Sequence, residues 1–319
     1  MCWDEKWDSL IRDNGLINKV KEMDEFDDDK NNKLHIKDIC GQIYQDYTKY
    51  SEILSKTRKE ILNITRKFSE EHIQTGRIKE MDSLLCKVIN KRHAHINDKH
   101  NPYSTINGDN YKDVVSDLLG IRLIVSNKKQ WINLHEKIIQ RFPYASEDDA
   151  YDNIALIKHG ANGRDLLAEI PKVYHAYGDD LSIYERGRLE KKLKNNGYRS
   201  VHYVVSYQRK YVEIQVRTLY EEAWSDCEHR YVYKKEEHKS YTTLKQLASI
   251  LVMLTNASDV LAERMGQIYE TEALREELGN YLLCKDVNLN FDIIFDKINY
   301  ASQMLEEFRN KIVKGELNE

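Results

Sequence analysis

The chain has 319 residues, a formal net charge of −4, 32% charged and 41% hydrophobic residues, and only 3 prolines and 13 glycines. That balance excludes a Gly/Pro-rich repeat and a wholly disordered chain, and gives no global reason to expect nucleic-acid binding. The longest apolar stretch, LASILVML at 247–254, is far short of the ~20 residues of a membrane span. The N-terminus MCWDEKWDSL has no basic region followed by an apolar core, so no signal peptide is expected. Cys2, Cys40, Cys86, Cys227 and Cys284 are scattered and never form a Cys-x-x-Cys pair. They read as free thiols of a cytoplasmic protein.

Residues 1–32 read as an acidic lead-in with one short helix, ending in a polar stretch. From 34 to 68 the apolar residues Ile36, Ile39, Ile43, Tyr47, Tyr50, Leu54, Ile61, Ile64 and Phe68 recur at helical spacing. A second helix is expected over 79–91, and 93–110 reads as a loop with Pro102, Gly108 and many Asn. The run LLGIRLIVS at 118–126 suits a buried strand, and 128–142 an amphipathic helix. Residues 143–197 are the least readable, with an acidic patch EDDAYD and a candidate strand at 172–175. VHYVVSY and YVEIQVR, separated by a short polar link, form a hairpin signal, and 220–233 reads as the helix that follows it. Beyond 241 the chain reads as helical, over 244–269 and 291–312. Strands flanked by helices, with more helix at both ends, give an α+β core with a mixed sheet. Three regions are expected: 1–69 as an N-terminal helical extension, 70–235 as the core domain, and 236–319 as a C-terminal helical extension.

Four segments hold residues that packing alone does not account for. Gly76-Arg77-Ile78-Lys79 reads as opening a helix, where two cations oppose the dipole and call for anionic phosphates. In Asp117-Leu118-Leu119-Gly120-Ile121-Arg122 an aspartate stands at the mouth of an apolar strand that carries an arginine. Asp117 is either a hard oxygen ligand for Mg²⁺ or the partner of Arg122 in a salt bridge. Asn196-Gly197-Tyr198-Arg199-Ser200-Val201-His202 sets an aromatic face, a cation and an imidazole after a turn, a set suited to a nucleobase and its phosphates. In Glu213-Ile214-Gln215-Val216-Arg217-Thr218 strand alternation sends Glu213, Gln215 and Arg217 to one face, an active-site floor, and the aliphatic residues to the other. His229, on the following helix, reads as structural. The run 185–199 holds six Lys/Arg against two Glu.

GRIK, DLLGIR, NGYRSVH, EIQVRT and AWSDCEHRYVYK follow the order and wording of the synthetase domain of the RelA/SpoT alarmone synthetases, which the chain resembles over about 70–235. The resemblance implies a nucleotidyltransferase-like mixed β-sheet flanked by helices. It implies Mg²⁺-dependent transfer of the β,γ-pyrophosphate of ATP to the 3′-hydroxyl of GDP or GTP, giving (p)ppGpp and AMP. Arg77 and Arg122 would clamp the adenine and Lys79 would contact the ATP phosphates. Asp117 would bind the metal; Glu213 would help hold it or accept the 3′-hydroxyl proton. Tyr198 would stack on guanine, while Arg199, His202, Gln215 and Arg217 would line the acceptor pocket. No His-Asp pair of the family's hydrolase half is present, so synthesis without hydrolysis is expected, from a small stand-alone enzyme without the long enzymes' regulatory half. The tyrosine loop, which in the family usually follows a Lys-Pro pair, here follows Lys194-Asn195-Asn196-Gly197. Two other enzymatic readings remain. One is a toxin that pyrophosphorylates the 3′ CCA end of tRNA, its backbone held by the basic run 186–194; the other uses an adenine-nucleotide acceptor. A catalytically silent nucleotide-binding module is a third. The terminal helices could form a homo-oligomer interface.

Overall fold

The computed structural model describes residues 2–29, 35–69, 72–144, 165–233 and 238–278, with 299–300, 302–304, 306–307 and 310. The lead-in forms two helices rather than one, α1 (Trp3–Asp13) and α2 (Ile17–Asp29). Gly15 at φ +61 supplies the left-handed residue that ends α1, and the Asn14 amide donates to the Leu10 carbonyl there. Helix α3 (Ile36–Thr65) follows, with Ile36, Ile39, Ile43, Tyr47, Leu54 and Ile61 buried at the expected helical spacing.

Gly76-Arg77-Ile78-Lys79 does not open a helix. Ile73–Ile78 form strand β1, and helix α4 (Met81–Ala94) begins only after Glu80. The cause is pairing: β1 runs antiparallel to β2 (Leu119–Val125), from Ile73↔Ile124 to Ile78↔Leu119, which satisfies backbone groups that a helix end would leave open. Strand alternation, not a helix dipole, therefore decides where Arg77 points. Between α4 and β2 the chain is irregular apart from a 3₁₀ turn at Pro102–Thr105 and one helical turn, α5 (Tyr111–Val114).

Helix α6 (Gln130–Arg141) and strands β3 (Leu166–Leu167) and β4 (Lys172–His175) come next. The acidic patch EDDAYD lies outside the described residues. Much of the basic run becomes an exposed strand, β5 (Glu190–Leu193), parallel to β4. The expected hairpin is β6 (Ser200–Tyr207) and β7 (Lys210–Thr218). Its turn residues Gln208 (φ 48) and Arg209 (φ 60) both take the left-handed backbone of a two-residue type I′ turn, with neither Gly nor Asn to favour it. Helix α7 (Leu219–Tyr231) follows β7 through a capping box of Thr218 and Glu221. Helix α8 (Tyr241–Leu278) is one continuous 38-residue element, longer than its periodicity suggested. The helix expected over 291–312 lies largely outside the described residues.

Among the described residues the sheet has seven strands in the order β1-β2-β7-β6-β4-β5, with β3 beside β6. β2/β7 and β4/β5 are parallel and the other pairs antiparallel, so the sheet is mixed and the fold is α+β. One face is apolar: Ile121, Leu123, Ile214, Val216, Val201, Tyr203 and Val205 are buried. Helices α3 and α6 cover it. Gly76, opposite Ile121, lies against Arg58 of α3, and Trp131 and His135 of α6 reach the Tyr203 hydroxyl at 2.8 and 3.0 Å. Each large apolar side chain buried here contributes about 1.5–3 kcal/mol, which fixes the register and so the opposite face. Residues of α1–α4 share this contiguous core with the sheet. Cys2, Cys40, Cys86 and Cys227 are free thiols, and no helix among the described residues is long and apolar enough to cross a membrane.

Candidate active site

The face opposite the core carries the charge. Register places Arg77 across from Gly120 and Gly120 across from Glu213, so no side chain stands between the arginine and the glutamate. The next row across the sheet is Arg122, Gln215, His202 and Lys172. Alternation along β7 adds Arg217, as the sequence pattern requires.

Four of these side chains close a ring with Tyr198. His202 Nδ1 lies 3.0 Å from Glu213 Oε1, and His202 Nε2 lies 2.9 Å from the Tyr198 hydroxyl. Arg217 Nη2 donates to the Tyr198 hydroxyl and, at 2.9 Å, to Gln215 Oε1, and Gln215 Nε2 donates to Glu213 Oε2 at 2.7 Å. An ionised carboxylate only accepts, so the ring places a His202 hydrogen on Nδ1, facing Glu213. Burial pushes the Glu213 pKa up, but the His202 hydrogen bond and charge and the Gln215 amide outweigh it, leaving Glu213 below the ordinary carboxylate value. Arg217, only 4% exposed, lies 5.0 Å from the Tyr198 ring centroid and also donates to Ser200 and Ser225. Tyr174 of β4 packs edge-on against both Tyr198 and His202.

Asp117 precedes β2 and meets two lysines. Lys79 donates to its Oδ2 at 2.9 Å. The Lys87 ammonium, from α4, is 2.9 Å from Oδ1. Burial raises the Asp117 pKa, and Lys87 and Lys79 together overcome it and hold the group below its ordinary value. Asp117 does not pair with Arg122, so the salt-bridge alternative for this segment is overturned. Arg122 instead reaches over to α7, 2.5 Å from Glu222 Oε1, while Glu222 Oε2 takes Arg217 at 2.9 Å. The Arg122 Nε stays buried without a hydrogen-bond partner, and Arg77 makes no ion pair among the described residues.

The structure brings together Tyr198, His202, Glu213, Gln215 and Arg217, with Arg122 attached through Glu222. It sets Lys79 with Asp117 close by, since the Asp117 charge acts on Glu213. Arg199 stands apart from the ring. It forms a two-pronged pair with Asp179 at 2.8 and 2.9 Å, next to a small cavity of about 10 Å³ lined by Gly197, Glu221, Val252 and Asp259. The reason is again alternation, which turns residue 199 away from 198 and 200. His229 stacks on Tyr233 at 5.1 Å, away from the ring.

Sequence reading missed Lys87, Asp179, Glu222 and Asp259. A signal existed for two. Lys87 follows Leu84 by three residues, so a cation lies on the buried stripe of a helix. Glu221 completes the capping box at Thr218, which leaves the adjacent Glu222 without a structural task. Asp179 and Asp259 lie far from their partners in sequence and gave none.

A Mg²⁺ ion fits this donor set. Asp117 and Glu213 are hard oxygen donors, and the two lysines on Asp117 are the groups that an incoming cation would displace. Mg²⁺ is commonly held by one or two carboxylates, with substrate phosphates and water filling the rest of its shell.

No curated protein matches the chain. Solved structures with a similar fold include a protein from Streptococcus mutans UA159, at 18% identity over 72% of this chain and 97% of that one, TM-score 0.44. A GTP pyrophosphokinase family protein from Streptococcus pneumoniae is 16% identical over 74% and 97%, TM-score 0.43. The small alarmone synthetase 1 of Bacillus subtilis is 18% identical over 72% and 96%, TM-score 0.43. The family model described as the region found in RelA / SpoT proteins matches residues 76–238, a little over half of the chain. That span starts at Gly76 of β1, ends past α7 and contains Asp117, the ring and Glu222, so the chain belongs to the RelA/SpoT family.

Proposed function

We propose that the chain is a Mg²⁺-dependent pyrophosphokinase that transfers the β,γ-pyrophosphate of ATP to the 3′-hydroxyl of GDP or GTP, forming (p)ppGpp and AMP. The observation that carries this reading is two unlike carboxylates near enough to act on each other: Glu213 oriented by the ring, and Asp117 between two lysines. The 3′-oxygen bonds to the β-phosphorus, the bond from that phosphorus to the bridging oxygen on the α-phosphate breaks, and the hydroxyl proton passes to Glu213. The ionised Glu213 holds a lone pair free for that proton, and its two hydrogen-bonded neighbours fix its direction. Lys79 and Lys87 leave Asp117 for the triphosphate oxygens, which carry more charge than one carboxylate. Arg77 and Arg122 lie flat against the adenine, a geometry a guanidinium allows and an ammonium does not. Tyr198 stacks on the acceptor base; His202, Gln215 and Arg217 hold the acceptor side. A metal held by Asp117 would neutralise phosphate charge, with Glu213 left to take the proton.

A second reading is favoured by β5. Lys191, Lys192 and Lys194 are exposed on and just beyond this edge strand, and the Lys194 ammonium lies 4.9 Å over the Tyr174 ring that touches Tyr198. A polyanionic backbone could approach there, with tRNA 3′ CCA as the acceptor. Incubation with Mg²⁺ and ATP labelled on the β,γ-phosphates, against GDP, GTP, ATP and bulk tRNA separately, decides. Label on GDP or GTP supports the first reading and label on tRNA alone supports the second. No transfer to any of the four removes both.

A further inference from the structure

We infer that Glu222 is a positioning residue that ties the donor and acceptor halves of the site together, so that binding of one nucleotide strengthens binding of the other. The inference rests on the proposed function. Its geometry is specific: the two oxygens of a single carboxylate are divided between guanidiniums from different strands, Oε1 to Arg122 of β2 at 2.5 Å and Oε2 to Arg217 of β7 at 2.9 Å. Arg122 belongs to the donor half. Arg217 is buried against Tyr198, in the acceptor half. Among the described residues Glu222 is the one side chain bonded to both arginines.

The bridge has a mechanical consequence. Arg217 is already fixed by Ser200, Gln215, Tyr198 and Ser225. Arg122 is fixed through Glu222 alone, and its buried Nε still has no partner. An acceptor that settles against Arg217 and the ring therefore sets the Glu222 carboxylate, and through it the guanidinium of Arg122 on which the donor base lies. The donor then meets an arginine whose ordering cost has been met, which is positive coupling without a change of fold. Linkage makes the effect reciprocal.

Helix α7 supports the placement. Glu222 lies in its first turn, where the dipole favours an acid, and the capping box that starts the helix uses Glu221. A purely structural Glu222, serving as counterion for Arg217, would affect stability but not the coupling.

Calorimetric titration of the full chain with Mg²⁺ and a non-hydrolysable ATP analogue, with GDP, and with each in the presence of the other, reads the coupling directly. In the parent, saturating analogue is expected to tighten GDP by about fivefold or more, within the ordinary range for coupled sites. Glu222→Gln keeps the volume, but its amide offers one acceptor oxygen and sets an NH₂ against the second guanidinium. It is expected to bind each nucleotide singly within about threefold of the parent and to reduce coupling below about twofold. Glu222→Asp retains the charge but retreats by about 1.5 Å, one bond length, and cannot span both arginines at hydrogen-bond distance. It gives the same expected loss and carries the test if Glu222→Gln does not fold. A parent that binds both nucleotides independently overturns the inference, as does a folded variant with parental coupling. A parent that binds neither nucleotide removes the proposed function itself, a result seen before any variant is made.

Discussion

Asp117, in the turn before β2, and Glu213, on β7, act on each other electrostatically and are stabilised by opposite means. At the corner of β1, β2 and α4, Asp117 is balanced by two lysine ammoniums. On β6 and β7, Glu213 is balanced by an imidazole and an amide in a closed ring. Ammoniums on long flexible stems exchange readily for other anions or give way to a metal, whereas a closed hydrogen-bonded ring holds one geometry. The first arrangement suits a site that must admit phosphate and metal. The second suits a base that must point in one direction.

The largest expected effect breaks that comparison if it fails. Glu213→Gln is expected to lower kcat by about 10²–10⁴ with a smaller change in acceptor KM, the range for loss of a positioned base. Asp117→Asn is expected to raise the Mg²⁺ and ATP concentrations needed for half-maximal rate. Steady-state kinetics at varied Mg²⁺ separates the two; identical profiles would mean the carboxylates share one role. The Glu213 pKa is depressed below 4.5. Its stabilising contribution is therefore present above the unfolded value and lost as pH falls through the folded one, and the acid limb of activity should lie in that low range.

Asp259 of α8 is a third carboxylate with a poorer solution, and it sharpens the contrast. It is 4% exposed and its Oδ1 has no hydrogen-bond partner. Burial, then the nearby Glu221, push its pKa up to about 7 from 3.8, against the opposing pull of Thr218, Lys128 and Arg199. A raised folded value means that ionising Asp259 costs stability. The penalty grows as pH climbs from about 4 to about 7 and is constant beyond, and a displacement of that size bounds it at about 4 kcal/mol. The parent Tm is expected to fall between pH 5 and 7, and Asp259→Asn to flatten that dependence and raise Tm at pH 8. A parent Tm that is level over pH 5–8 would contradict it.

The sequence made the core and most of the site legible for one physical reason: alternation and helical periodicity are local. Ile121, Leu123, Ile214 and Val216 announce which way Arg122, Glu213, Gln215 and Arg217 point. Pairing between strands is not local, which is why 76–79 read as a helix start and became part of β1 and its exit. Contacts across the fold were equally hidden: Arg199 to Asp179, and Gly197 to Val252 of α8. Gly197 has φ +84, and an added Cβ would lie 2.7 Å from Val252 Cγ2. Gly197→Ala should therefore cost about 1–2 kcal/mol for the left-handed backbone alone, with a further contact cost. Denaturant titration of Gly197→Ala with and without Val252→Ala is expected to recover the contact part and leave the backbone part. Full recovery would show that α8, rather than the turn, sets the cost.

The smallest expected effect asks whether the ring or the hydroxyl of Tyr198 matters, and so whether the acceptor half is held mainly by stacking or by its hydrogen-bonded circuit. Tyr198→Phe keeps the ring over Arg217 and removes the oxygen that joins Arg217 to His202. Arg217 retains Gln215, Ser225 and Glu222, so no buried charge is left unpaired. His202 retains Glu213 and loses a single partner at Nε2. Losing the two hydrogen bonds of the Tyr198 hydroxyl, while Arg217 and His202 both keep other partners, predicts a change of less than about tenfold in acceptor KM. Tyr198→Ala removes the stacking surface as well and should raise acceptor KM by a further 1–3 kcal/mol equivalent, roughly ten- to a hundredfold. If Phe is as poor as Ala, the acceptor half works through its circuit, and Tyr198 is there to orient His202 and hence Glu213. If Phe is close to the parent, the flat face of Tyr198 is what the acceptor base meets, and the circuit's task is to keep that face still.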